Sequence, residues 1–179
     1  MNHHLLAIVA VAALTSCDTP KPVVRELPPR EHYVALARDF QDFRSWGSLD
    51  LGERPAQGET HDEGNLRAFV NALPPPGSTQ FPVGTIIVKE NLAQRPRSSE
   101  EPRKHFAMVK RGANFNALGA RGWEWFELVE GPRGVAINWR GLGAPDGEGY
   151  GGDPLGTCNS CHQMAAGNDF VLSEALTLR

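Results

Sequence analysis

Apolar residues recur three and four apart along EHYVALARDFQDFRSW (31–46), at Tyr33, Val34, Leu36, Ala37, Phe40 and Phe43. That spacing predicts an amphipathic helix with one buried face. Residues 47–64, GSLDLGERPAQGETHDEG, are polar and glycine-rich and predict a loop. The pattern then changes to short β-branched and aromatic runs: LRAFVNA (66–72), GTIIVKEN (84–91), RKHFAMVKR (103–111), GWEWFELVE (122–130) and GVAIN (134–138). Turn residues punctuate them, including PPPG at 74–77 and GPRG at 131–134. Runs of this length between turns predict an antiparallel meander of four or five strands. Residues 141–157 hold seven glycines in seventeen positions and predict a flexible loop. A short helix over 158–166 follows. The expected fold class is α+β, mostly an antiparallel β meander, with an N-terminal helix and a short C-terminal helix.

The first 17 residues, MNHHLLAIVAVAALTSC, do not fit this fold. Their apolar run, Leu5 to Leu14, suits a secretory signal and is short for a bilayer span. Leu14 to Cys17 resembles a bacterial lipobox, in which the cysteine becomes the lipidated first residue of the mature chain. The positive charge expected before the apolar run comes only from His3, His4 and the amino terminus. An ordinary signal peptide with a chance cysteine is the competing reading. Residues 18–30, DTPKPVVRELPPR, are proline-rich and charged, as in a tether. The expected organisation is a lipoprotein signal peptide over 1–16, a tether over 17–30 and one folded domain over 31–179.

The 179-residue length suits one domain able to bury a core without metal or disulfide staples. With 40% hydrophobic and 22% charged residues, the composition is globular. The net charge of -3 offers no basic field for nucleic acid. Three cysteines are present. Once Cys17 is assigned to lipid, Cys158 and Cys161 remain, with nothing left for a long-range disulfide.

The haem assignment comes from Cys158-Asn159-Ser160-Cys161-His162. Cysteines three apart lie on one side of a helical turn. Each thiol can add to one vinyl group of a haem, and the following histidine can ligand the iron from the same side. Cys-x-x-Cys-His is the signature of covalent haem c attachment. A thioredoxin-like redox pair would need a strand-helix-strand setting, which this pattern lacks. A zinc site would need a second ligand pair, and His61 and His105 lie far upstream and apart. Export and c-type attachment agree, because bacteria attach haem c outside the cytoplasm.

The sixth iron position is open to several readings. Met108 is the candidate ligand of an electron carrier, with core packing as its ordinary alternative. Met164 stands too near His162 to reach the opposite side of a ring. His61 and His105 are further candidates. Trp123 and Trp125 share one strand face, with Phe126 on the other. They suit either a plain core or packing against a porphyrin edge. Glu124 and Glu127 read as solvated strand residues, or as a proton relay beside the iron. No catalytic residue is assigned.

FPVGTIIVKEN (81–91), HFAMVKRG (105–112), GWEWFEL (122–128) and CNSCHQMAAGNDFVLS (158–173) occur in an order that resembles the cytochrome P-460 and cytochrome c′-beta family. Asp169, Phe170 and Val171 match its Asp-aromatic-Val element after the motif. The resemblance covers about residues 30–173. It implies a mostly antiparallel β fold, His162 as proximal ligand, and a five-coordinate, high-spin iron. It also implies a pocket for NO or hydroxylamine and, in many members, a homodimer. Members that oxidise hydroxylamine carry a lysine bonded to the porphyrin, expected between the first strand and the Gly-Thr strand. Residues 65–82 contain no lysine.

The expected protein is therefore an exported, periplasmic, lipid-anchored mono-haem cytochrome. Its His162-bound iron takes NO or a related nitrogenous ligand, and a redox partner protein serves it. The alternatives are a single-haem electron carrier and a hydroxylamine-oxidising enzyme.

Overall fold

The computed structural model describes residues 26–54, 64–92, 102–112, 114–146 and 157–178. The signal segment, Cys17, the tether up to residue 25, His61 and residues 147–156 lie outside them. Among the described residues six strands run in chain order: β1 (Gly47–Arg54), β2 (Gly64–Val70), β3 (Ile86–Asn91), β4 (Arg103–Lys110), β5 (Trp123–Gly131) and β6 (Gly134–Gly141). Each pairs antiparallel with the next, so the sheet is a simple meander. One short helix, α1 (Thr157–Gln163), carries the cysteine-histidine motif. The mostly antiparallel β expectation holds, with six strands rather than four or five.

The added strand is β1, in the segment expected to be a loop. Its alternation is short: Leu49 and Leu51 face the core between Ser48, Asp50 and Gly52. Being an edge strand, it needs only one apolar side, and β2 satisfies its backbone. The register shifts between Asp50 and Gly52, where the Asp50 carboxylate accepts the Gly52 N–H at 2.8 Å.

The expected helix over 31–46 is instead two 3₁₀ turns, Ala37–Phe40 and Phe43–Ser45, after an extended start. Two hydrogen bonds explain the difference. The Tyr33 N–H donates to the Arg111 carbonyl at 2.9 Å, so the start of the segment is held extended in an isolated bridge beyond the end of β4. The Asp39 carboxylate accepts the Leu36 N–H at 2.8 Å, which caps a turn three residues before it. Phe40 and Phe43, three apart, still point to one side, as a 3₁₀ turn requires. The amphipathic pattern was real, but its period did not separate α from 3₁₀.

The sheet has an apolar layer on each face. On one, Phe40 and Phe43 cover Phe69, Ile86, Val88, Ala107, Val109, Phe126 and Leu128. On the other lie Ala68, Val70, Ile87, Met108, Trp123, Trp125 and Trp139, joined by Val171 and Leu176 after the motif. Strand alternation explains the division: odd residues of β5 face the second layer, and Glu124, Phe126 and Leu128 the first. Leu49, Leu51, Phe106, Cys158 and Phe170 rim the second layer and are only partly covered.

Candidate haem site

The motif docks through a residue that sequence reading treated as a spacer. Asn159 is fully buried. Its Oδ1 accepts from Asn116 Nδ2 (2.7 Å), Trp125 Nε1 (2.9 Å) and the Ala120 N–H (3.1 Å). Its Nδ2 donates to the Leu142 carbonyl at 2.9 Å. One amide thus ties α1 to β5, to the 116–120 turn and to the end of β6. Gly119 makes room for it, because a Cβ there would overlap the Asn159 amide.

With Asn159 anchored inward, the motif's reactive groups are set around it. Cys158 is partly buried against the tryptophan layer and Cys161 is exposed; both are free thiols. Burial pushes the Cys158 thiol up to about 11, against the lowering effect of the Lys89 charge. The His162 ring lies 4.6 Å from the Trp125 ring, centroid to centroid. Its Nδ1–H donates to the Phe170 carbonyl at 2.6 Å, which leaves the Nε2 lone pair for a metal. Burial, helped by the Lys89 charge, lowers the His162 pKa to about 4, although the Phe170 bond opposes this. The ring is therefore neutral near pH 7, the form that ligates.

Phe170 is held in an unusual backbone. Asp169 has φ 50 and Phe170 φ 66, both left-handed. A non-glycine residue there costs on the order of 1–3 kcal/mol. Asp169 is tied at every acceptor: Oδ1 to Lys110 Nζ (2.6 Å), Oδ2 to the Phe81 N–H (2.9 Å) and its carbonyl to Trp123 Nε1 (2.7 Å). Burial lowers the Lys110 pKa, and the bond to Asp169 opposes that shift without cancelling it.

Lys89, which reads in the sequence as an ordinary strand position of the family, has a special setting. Its register places it on the motif side of the sheet, beside Phe106 and two residues from Ile87. Its charge acts on both Cys158 and His162. Burial lowers its pKa to about 7, and no carboxylate among the described residues pairs with it. It lies one strand beyond the segment in which a porphyrin-linked lysine was expected.

The remaining candidates are placed as follows. Met108 is buried in the tryptophan layer, paired in register with Trp125 and Ile87. His105 is buried on the opposite face against Phe43, so the sheet lies between it and His162. Glu124 and Glu127 are not solvated as expected. Both are buried. Glu124 faces away from the motif and binds Arg111 (2.9 Å) and Arg140 (2.7 Å). Glu127 accepts from Asn138 Nδ2 at 2.7 Å and pairs with Lys104 at 3.2 Å. Trp123 and Trp125 form core, and the Trp125 ring lies against His162.

These residues fit a haem. Two reduced thiols three apart share one helix, an oriented imidazole follows them, and a partly covered apolar face lies alongside. They do not fit a protein-only metal cage: among the described residues no three His, Cys, Asp or Glu side chains converge as ligands. No curated protein and no solved structure matches the chain. Residues 41–173 match the family described as Cytochrome P460, a span that includes all six strands and the motif. The chain belongs to the cytochrome P460 family, whose members imply a haem cofactor.

Proposed function

We propose that this protein is an exported c-type mono-haem cytochrome, anchored to a membrane by lipid at Cys17 and facing the periplasm. Haem c is bonded to Cys158 and Cys161, its iron is held by His162, and NO or a related small nitrogenous molecule binds the iron. The observation that carries this reading is the His162 ring, with Nδ1 committed to the Phe170 carbonyl and Nε2 left for the iron, next to two free thiols on one helix. When bound, the haem supplies an iron position open to the ligand. The chain's own residues orient the imidazole, hold α1 against the sheet and keep water from the tryptophan side of the site. A redox partner protein and a homodimer complete the reading.

The ultraviolet–visible spectrum of the ferrous, matured protein tests it, before and after NO. A broad high-spin spectrum that shifts with NO supports the open site. A sharp low-spin α band that ignores NO would sink it in favour of a single-haem electron carrier. In that case Met108→Ala should abolish the low-spin form. Packing of Met108 within the core speaks for the open site.

Lys89 favours a second reading, oxidation of hydroxylamine. An amine near pKa 7 is partly neutral at physiological pH, and only the neutral form is a nucleophile; a bond to a porphyrin carbon would replace a C–H bond and need a two-electron oxidant supplied from solution. Mass spectrometry of the haem peptide after proteolysis decides: a haem that carries the Lys89 peptide as well as the Cys158–Cys161 peptide moves the assignment to the enzyme.

A further inference from the structure

We infer that Lys110 and Asp169 are positioning residues for His162: their buried ion pair holds the left-handed turn whose carbonyl orients the imidazole and sets its strength as an iron ligand. The inference rests on the haem reading above.

Three separate parts of the fold converge on Asp169. β4 supplies the Lys110 ammonium, the loop before β3 supplies the Phe81 N–H, and β5 supplies the Trp123 indole N–H. Lys110 has no freedom to leave. It also donates to the Arg121 carbonyl at 3.3 Å and lies over the Trp123 ring, 5.1 Å from its centroid. Gly122, with φ +81, gives its side chain room, since a Cβ there would approach Nζ to 3.2 Å. The next residue, Phe170, gives its carbonyl to His162. Left-handed backbone at two successive non-glycine residues persists only where surrounding contacts over-determine it. A buried ion pair loses much of its attraction to desolvation, so it contributes little net stability. What this pair does supply is the direction of one carbonyl.

That direction has a chemical consequence. A short bond from Nδ1–H to a carbonyl raises the basicity of the other ring nitrogen and fixes the plane of the ring. Loosening the turn weakens donation to the iron and destabilises its ferric form more than its ferrous form. The reduction potential then rises.

The test uses the full chain matured with covalent haem, in four variants. Asp169→Asn keeps the side-chain shape and an acceptor for the Phe81 N–H but removes the charge. Lys110→Met removes the ammonium. Trp123→Phe deletes the indole bond to the Asp169 carbonyl and trims a buried ring that packs against Phe81 and under Lys110. Glu124→Gln disturbs a buried carboxylate held by two partly exposed arginines on the far face and serves as the control. Potentiometry should give upward shifts for Asp169→Asn and Lys110→Met and a smaller one for Trp123→Phe. Resonance Raman of the ferrous protein should show the iron–histidine stretch moving down in the same order. Glu124→Gln should lower the urea midpoint and leave both readouts in place. The inference is overturned if Asp169→Asn and Lys110→Met lose stability as the control does, with potential and stretch unchanged. If neither accumulates, Trp123→Phe decides alone, and an unmoved potential there overturns it. Wild-type protein that holds no haem after denaturation would instead remove the haem reading on which the inference stands.

Discussion

The two faces of β5 use similar residues to opposite ends. On the far face, Glu124 is held between Arg111 and Arg140, and Phe126 packs on Phe40 under the Arg140 guanidinium. Every partner there belongs to the sheet or to the segments flanking it. On the near face, Trp123 and Trp125 each send an indole N–H beyond the sheet. One ends on Asp169 and the other on Asn159, which bracket His162 in sequence. The far face closes on itself and makes a stable sheet. The near face leaves polar handles that only the motif segment satisfies. The difference teaches that docking of the haem motif is written into the sheet, chiefly into two tryptophans that look like plain core.

Perturbing each face separately should keep these roles apart. The largest effect belongs to the near face: Cys158→Ser with Cys161→Ser should abolish covalent haem entirely, read as haem staining after denaturing electrophoresis. His162→Ala should retain attached haem but change its absorption spectrum, and an unchanged spectrum would remove His162 as ligand. Asn159→Ala leaves the Trp125 indole and the Ala120 N–H unpaired at about 1–3 kcal/mol each, while Asn116 Nδ2 keeps the Trp123 carbonyl, so unfolding in urea should show a loss of several kcal/mol. Far-face Glu124→Ala removes a buried carboxylate from two partly exposed arginines and should cost about 1–3 kcal/mol in the same measurement, while the haem spectrum stays as in wild type. A spectrum that moved would collapse the distinction between the faces.

The smallest effect is a pH dependence carried by the far face. Bonds from Arg44, then His105, lower the Glu130 pKa from 4.5 to about 2, despite partial burial. Burial lowers that of His105 below 6.5. A carboxylate depressed in the folded state stabilises above its unfolded pKa and loses that contribution as pH falls toward 2. A histidine kept neutral by burial also loses stability as pH falls, beginning near 6.5, because the unfolded chain takes up the proton first. Both effects have the same sign, so stability should fall below about pH 6.5 and faster below about 4.5. Glu130→Gln should flatten the lower limb by about 1 kcal/mol, given the partial exposure of that carboxylate. Urea titrations at a series of pH values would show it, and an identical lower limb in the variant would refute the assignment.

Five of the six strands, the meander and the motif helix were legible because each has a local cause. The strands have β-branched and aromatic runs between turn residues, and the motif has its spacing. β1 escaped notice because an edge strand with one buried face needs only Leu49 and Leu51 to alternate. The N-terminal 3₁₀ turns were taken for a helix because residues three apart share a face in both forms. Glu124 and Glu127 were read as solvated because alternation does not show that arginine, lysine and asparagine partners will meet them inside. Among the candidate site residues, Cys158, Cys161 and His162 were proposed from chemistry and spacing. Asn159, Lys110 and Lys89 were not, since each acts on a partner dozens of residues away.

The sequence by itself determined the Cys-x-x-Cys-His spacing, the two-layer strand alternation and the shared face of Trp123 and Trp125. Those follow from covalent spacing and from backbone periods of two and 3.6, which need no knowledge of the rest of the chain. Only the tertiary structure decided which carbonyl holds His162, which amide seats the motif and which lysine bears on the thiols. Each depends on register between strands and on a left-handed turn that no local preference favours. Such contacts form only after the whole sheet has brought residues 81, 110, 123 and 169 to one place.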